Sequence, residues 1–345
     1  VSRPGRVAVL GAGSWGTAFA AVIGSSTSPE GRRADRIVLW SRRREIADAI
    51  TLGHRNPEYL PDIDLPENIS AVTDIHEAVT DAAVVVVAVP AQHVRETLTT
   101  VKDSIAEDAI VVSLVKGLER GTGERPSQVC ASALGVPPER FAVVSGPNLA
   151  LEIARGEPTA TVVASESAET AEAIAAMTAG RTFRPYTNTD VVGVEIGGIV
   201  KNVIALAVGI CDGQGLGDNS KASVITRGLA ETTRLAIAVG GRPETMAGLA
   251  GLGDLVATCA SPLSRNRSAG RLIGTGMGVD EAVASMKQTA EGIKSVSAVV
   301  DLARRHDVEM PISEAINAVV SGRLEVATLA DLLLSRNLKS EGHRA

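Results

Sequence analysis

The hydrophobic positions change their rhythm once along this chain. In the first half, short runs of Val, Ile, Leu and Ala stand at residues 6–10, 36–40, 83–89, 109–115 and 141–145. They show little apolar–polar alternation, as strands covered on both faces should. Between them, at 17–23, 44–52 and 93–105, the pattern is helical. Two more strand-like runs, 159–164 and 182–186, flank a helical stretch, AETAEAIAAM. Strands alternating with helices predict a doubly wound α/β sheet of parallel strands. After about residue 190 the strand-like runs stop. The segments 191–210, 223–239, 243–248, 279–286, 295–305 and 312–320 read mostly as helices. The expected organisation is a sheet unit over residues 1–190 and an all-helical unit over 191–345.

The first strand runs into glycines in VAVLGAGSWGTAFA, residues 7–20. GAGSWG fits G-x-G-x-x-G between a predicted strand and a predicted helix, the context a dinucleotide site requires. Gly11 permits the tight turn, Gly13 lets backbone approach a pyrophosphate, and Gly16 lets the helix pack closely on the strand. The helix then aims its unpaired N–H groups, from Ser14, Trp15 and Gly16 onward, at the phosphates. A structural glycine turn is the plainer alternative, but the strand–turn–helix context favours a Rossmann-type cofactor unit. The second strand ends in WSRRRE, with Ser41, Arg42, Arg43 and Arg44 where an NAD site usually places a carboxylate. Guanidiniums match a 2′-phosphate, so NADPH is the expected preferred cofactor and NADH is accepted. The alternative is a solvated basic helix start, though a helix N-terminus disfavours cations. Tyr59, in NPEYLP, is a candidate to cover the adenine, or a packing residue.

Composition narrows the function. With 345 residues, 45% of them hydrophobic, the chain can bury a large core. Only 2% are aromatic, so the core is aliphatic and stacking platforms for single-stranded nucleic acid are missing. A net charge of −6 advertises no basic face for nucleic acid or anionic membrane. Cys130, Cys211 and Cys259 are too far apart for a CxxC site, and they suit a reducing cytoplasm. The N-terminal VSRPGRVAVLG has no signal-peptide apolar region, which also points to the cytoplasm. IGGIVKNVIALAVGI, residues 196–210, is apolar but short and carries Lys201, so it is expected to be a buried helix and no membrane span. His54, His76, His93, His306 and His343 are scattered and predict no metal site.

Three stretches set polar residues among apolar or glycine positions: VSLVKGLE (112–119), VEIGGIVKNVIALAVG (194–209) and GLAGLGDLVATCASPLSRNRSAG (248–270). With GAGSWGTA, SGPN and AEG (290–292), they occur in an order that resembles the NAD(P)-dependent glycerol-3-phosphate dehydrogenases of bacterial type. The resemblance covers nearly the whole chain. Some of the chemistry is readable directly. Lys201 on an apolar helix is desolvated, which lowers its pKa into the range of a general acid or base, unless it snorkels to solvent. Lys116 follows a buried-type strand at its carboxyl end, where ligands sit in open sheets. Gly146 and Asn148 follow another strand end, as cleft lining or as a simple turn. Asp254 and Thr258 are four apart, so they share a helix face. Asp254 is the natural counter-ion of Lys201, or a helix N-cap. Ser264, Arg265 and Asn266 offer a guanidinium fork and an amide to a phosphate, or form an ordinary polar loop.

The resemblance implies more. Dihydroxyacetone phosphate is reduced to sn-glycerol 3-phosphate for phospholipid synthesis, in a cleft between the two units. Lys201 is the proton donor and acceptor, Lys116 steadies the oxygen and touches substrate and cofactor, and Asn202 sits beside the substrate. Asp254, Thr258, Gly146 and Asn148 join the substrate site. Ala150, Arg265, Thr289 and Glu291 contact the cofactor; the family often has an apolar residue where Thr289 stands. The oligomeric state is left open, a homodimer included. Two rivals remain at this stage. One is another two-domain reductase, of the hydroxy-acid or ketopantoate kind. The other is a non-catalytic NADPH sensor.

Overall fold

The computed structural model describes residues 5–26, 34–286 and 290–329. Thr289 and His343 lie outside them. In chain order the sheet half runs β1 (Arg6–Leu10), α1 (Ser14–Gly24), β2 (Arg36–Trp40), α2 (Arg44–Gly53), β3 (Arg55–Asn56), β4 (Leu60–Asp64), β5 (Ile69–Val72), α3 (Ile75–Val79), β6 (Val84–Val87), α4 (Val94–Val101), β7 (Ile110–Ser113), α5 (Pro126–Leu134), β8 (Phe141–Ser145), α6 (Ala150–Ala154), β9 (Thr159–Ala164), α7 (Ala168–Thr178) and β10 (Phe183–Asn188). Eight strands form one sheet in the order β10-β9-β8-β7-β6-β1-β2-β5. β1 pairs in parallel with β2 on one side and β6 on the other. The strand order therefore reverses at β1, and the loop leaving its carboxyl end opens onto the crevice where such sheets bind ligands.

Apolar layers cover both faces of the sheet. β6 and β8 are buried along their whole length, which is why their sequences do not alternate. The same property hides direction. β9 pairs antiparallel with β8, so the expected all-parallel sheet is corrected at this edge. An apolar run reports burial, whichever way the strand points. The β3–β4 hairpin and β5 are additions to the predicted elements. β3 is two residues long, and β4 is mostly exposed, so neither gives an apolar signal. The helix expected at 93–105 is α4 with a 3-10 turn at each end, Ala91–His93 and Lys102–Ser104.

The second half is helical: α8 (Val191–Gly213), α9 (Asp218–Ala238), α10 (Pro243–Ala247), α11 (Asp254–Ala260), α12 (Arg265–Gly274), α13 (Val279–Ser285), α14 (Glu291–Arg305) and α15 (Pro311–Val320). A π-turn at Leu249–Gly253 joins α10 to α11. α8 is long and apolar enough to cross a membrane by composition, but other helices wrap it, and 94% of its most apolar window is buried. α12 crosses it very closely. A Cβ on Gly209 would run into the Arg267 carbonyl, and one on Gly270 into the Leu206 carbonyl.

Where sheet meets helices, Asp190 is the joint. Its carboxylate accepts from Gly193 N (2.8 Å), Arg242 N (2.8 Å) and Thr245 Oγ1 (2.6 Å), capping α8 and tying down α10. Further along α8, the buried Glu195 carboxylate pairs with Arg125 and accepts from Ser127 N and Oγ, both at 2.7 Å. Two buried carboxylates thus tie α8 to α10 and to the start of α5.

Candidate active site

A cleft of about 1130 Å³ runs from the glycine loop to α8, α11 and α12. It exceeds the roughly 300–1,000 Å³ of ordinary small-molecule sites, so it has room for a dinucleotide and a small second ligand. Its floor is the turn after β1. Gly11 has φ +120°, and a Cβ there would come within 2.8 Å of the Ala88 carbonyl. A Cβ on Gly16 would run into the Gly11 carbonyl, whereas Gly13 faces open space. No side chain caps α1, so its first N–H groups are open to an anion. Buried polar atoms without partners stand around the same cleft: Trp15 Nε1, Asn148 Oδ1 and Glu291 Oε2. Leaving such groups unpaired costs about 1–3 kcal/mol each, and a polar ligand would satisfy them. A bound dinucleotide fits these residues.

At one end of the cleft stand Trp40, Ser41, Arg42, Arg43 and Tyr59. Arg43 Nη2 lies 2.6 Å from Glu58 Oε1, donates to Tyr59 Oη (3.3 Å), and the guanidinium covers the Tyr59 ring at 5.7 Å. No carboxylate stands at the end of β2 itself, but the β3–β4 hairpin brings Glu58 to Arg43. Ser14 Oγ donates to the Tyr59 carbonyl at 3.2 Å.

The opposite end is built around one carboxylate. Asp254 is 1% exposed, and its two oxygens bind two ammoniums: Oδ1 pairs with Lys201, and Oδ2 with Lys116 at 2.7 Å. Lys201 Nζ also donates to Thr258 Oγ1 (2.8 Å), and Lys116 Nζ to the Gly146 carbonyl (3.1 Å). An ammonium has three N–H donors, so each lysine keeps one beyond these bonds. Both lysines and Thr258 line the cleft. Burial pushes the Lys201 ammonium down to about 7; Asp254 works against that shift, and the nearby Lys116 charge adds to it.

The π-turn explains how Asp254 reaches this place. Gly197 of α8 sits where a Cβ would meet the Ala250 carbonyl at 2.5 Å, so the turn lies directly on α8. Asp254 then opens α11 facing Lys201. It does not act as the cap: Gly253 occupies that position, and no side chain caps α11.

The structure adds hydrogen-bond partners to several of the expected site residues. Asp254 holds both lysines, as expected of a counter-ion, and the Gly146 carbonyl holds Lys116; neither is among the residues of the cleft wall. Asn202 is at the wall, but its Nδ2 donates to the Lys116 (3.1 Å) and Gly198 (3.4 Å) carbonyls. Its Oδ1 accepts from Asn266 Nδ2 (2.9 Å), and Asn266 Oδ1 accepts from Gly292 N (2.8 Å). The two amides thus form a strut from the Lys116 loop to the start of α14. Ser264 caps α12 by accepting from Arg267 N at 3.3 Å, and Arg265 opens the helix at the cleft. Asn148 and Ala150 line the cleft, as does Glu291.

Sequence reasoning missed the residues that hold these groups. Asn56 Nδ2 donates to the Ala12 carbonyl and to Thr17 Oγ1, both at 2.9 Å, anchoring the glycine loop. Gln92 grips the Lys116 loop twice: its Nε2 donates to the Leu118 carbonyl (2.8 Å), and its Oε1 accepts from Arg120 N (2.9 Å). Arg95 binds both oxygens of Glu119, at 2.9 and 2.8 Å. Nothing local marks these residues, since their partners are 24 to 44 positions away in the chain.

A family model described as the NAD-dependent glycerol-3-phosphate dehydrogenase C-terminus matches residues 190–331, and one described as its N-terminus matches residues 6–171. A glycerol-3-phosphate dehydrogenase of the NAD(P)+ type from Thermobifida fusca is 53% identical over 97% of this chain and 98% of its own. That of Streptomyces griseus is 51% identical over 99% of each. The crystal structure of glycerol-3-phosphate dehydrogenase from Coxiella burnetii matches with a TM-score of 0.89 at 37% identity, over 96% of this chain and 99% of that one. A ketopantoate reductase from Ralstonia eutropha shares the fold at a TM-score of 0.57 and 18% identity.

Proposed function

The chain belongs to the NAD-dependent glycerol-3-phosphate dehydrogenase family, and we propose that its cleft reduces dihydroxyacetone phosphate to sn-glycerol 3-phosphate with NADPH as the preferred donor. Residues 1–190 form the cofactor unit of this reading, and 191–345 the substrate unit. The observation that carries it is the Lys201–Asp254–Lys116 group at the cleft wall, two ammoniums on one buried carboxylate with an N–H to spare on each. The bound nicotinamide supplies the hydride; everything else falls to the protein. Lys201 gives its proton to the ketone oxygen, a transfer that a pKa near 7 permits in both directions. Lys116, paired with Asp254, stabilises the oxygen as negative charge builds on it. Asp254 fixes both ammoniums, and Thr258 orients Lys201. A non-catalytic sensor would have no use for two cations held at that cost. The product would feed phospholipid synthesis. The three buried, unpaired cysteines agree with a reducing cytoplasm.

Arg265 is assigned to the phosphate of the substrate. A dianionic handle supplies binding energy that aligns the ketone with Lys201. Arg265→Ala is expected to lower kcat and raise KM, costing about 10- to 150-fold in kcat/KM, the equivalent of one charged hydrogen bond. Discrimination against unphosphorylated dihydroxyacetone should shrink with it. Arg265→Lys keeps the charge without the fork and should recover only part of the activity. Steady-state kinetics on both ketones check this. An unchanged preference for the phosphorylated ketone in Arg265→Ala would place the phosphate elsewhere.

A further inference from the structure

We propose that Glu58 tunes the choice between NADPH and NADH by competing with the 2′-phosphate for Arg43. The inference rests on the reading that Arg42 and Arg43 bind that phosphate. The two arginines differ in the structure. Arg42 has no ion pair among the described residues, whereas Arg43 is held by Glu58 and covers Tyr59. Arg43 and Glu58 are each about half exposed, at 47% and 46%, and both line the cleft. A 2′-phosphate that recruits Arg43 must compete with Glu58 for its guanidinium. The carboxylate then stands beside a dianion. A 2′-hydroxyl makes no such demand, and a carboxylate can accept its proton in a hydrogen bond. Glu58 therefore does from the hairpin what an acidic residue at the end of β2 does in NAD-specific sites. The outcome is a site that takes both cofactors, with Arg42 favouring the phosphate and Glu58 limiting that advantage.

Because the pair is half in solvent, the shift is expected to be moderate. The test is calorimetric measurement of Kd for NADP+ and NAD+, without substrate, in the wild type, Glu58→Gln, Arg42→Gln, Arg43→Gln and the Glu58→Gln/Arg43→Gln double variant. Glu58→Gln should tighten NADP+ about 3- to 10-fold and leave NAD+ unchanged or weaker. In the Arg43→Gln background the gain should shrink. An unchanged NADP+/NAD+ ratio in Glu58→Gln, a shift toward NAD+, or a gain that persists in full without Arg43 would overturn the proposal. If neither arginine variant alters the ratio, the underlying 2′-phosphate reading fails instead, and the two failures are separable.

Discussion

Lys201→Ala is expected to bind NADPH as the wild type does and to turn over about 10²–10⁴-fold more slowly, the usual loss when a general acid is removed. The side chain is 8% exposed, sits against Asp254 and Thr258, and reaches the cleft at the far end from the adenosine site. Cofactor affinity should therefore separate from turnover, which distinguishes a lost proton donor from a damaged fold. Lys201→Arg should not rescue the activity, because a guanidinium does not release its proton near neutral pH. The pH dependence follows from the same residue. Reduction needs Lys201 protonated, so kcat for the ketone should fall as pH rises through about 7. Oxidation of glycerol 3-phosphate needs it neutral and should rise over the same interval. Near-wild-type turnover in either variant would remove Lys201 from the reaction.

Asp254→Asn is expected to cost both stability and activity. The wild-type carboxylate is shared by two lysines in a place almost closed to water. Removing one member of such a group typically costs about 3–5 kcal/mol, because the remaining charges are left buried without a partner. Lys201 can relieve part of this by losing its proton, so the loss of stability should be smaller at higher pH. The sign follows from linkage. Loss of Asp254 depresses the folded-state pKa of Lys201 further below its unfolded value. The unfolded chain then binds the extra proton, and stability rises with pH between the two values. The falling limb of the reduction profile should also move to lower pH than in the wild type. Denaturant titrations at two pH values and a kcat–pH profile read both effects. A profile at the wild-type position would mean that Asp254 does not set the protonation of Lys201.

The parts of the site that depend on local spacing were readable in the sequence. The three glycines of GAGSWG serve one turn within six residues. Lys201 stands out as the one cation on an apolar helix, and Asp254 and Thr258 are related by one helical turn. What a single stretch could not reveal was which polar group holds another. Asn202 and Asn266 read as residues beside the substrate; they line the cleft, but that their amides also bind backbone and each other was not readable. Gln92 and Asn56 look like ordinary loop residues until the fold brings the Lys116 and glycine loops against them. The reversed β9 escaped for a related reason: burial on both faces writes the same apolar run for either direction.

The central claim is that this cleft reduces a phosphorylated ketone with a proton from Lys201. Its most direct test is spectrophotometric: NADPH oxidation on adding dihydroxyacetone phosphate, dihydroxyacetone or a 2-keto acid to the wild type and to Lys201→Ala. The account predicts stoichiometric loss of NADPH with dihydroxyacetone phosphate, formation of sn-glycerol 3-phosphate, little turnover with the other two, and near-abolition in Lys201→Ala with NADPH affinity retained. Absence of turnover with dihydroxyacetone phosphate in folded, NADPH-binding protein would contradict it, as would turnover that survives without Lys201.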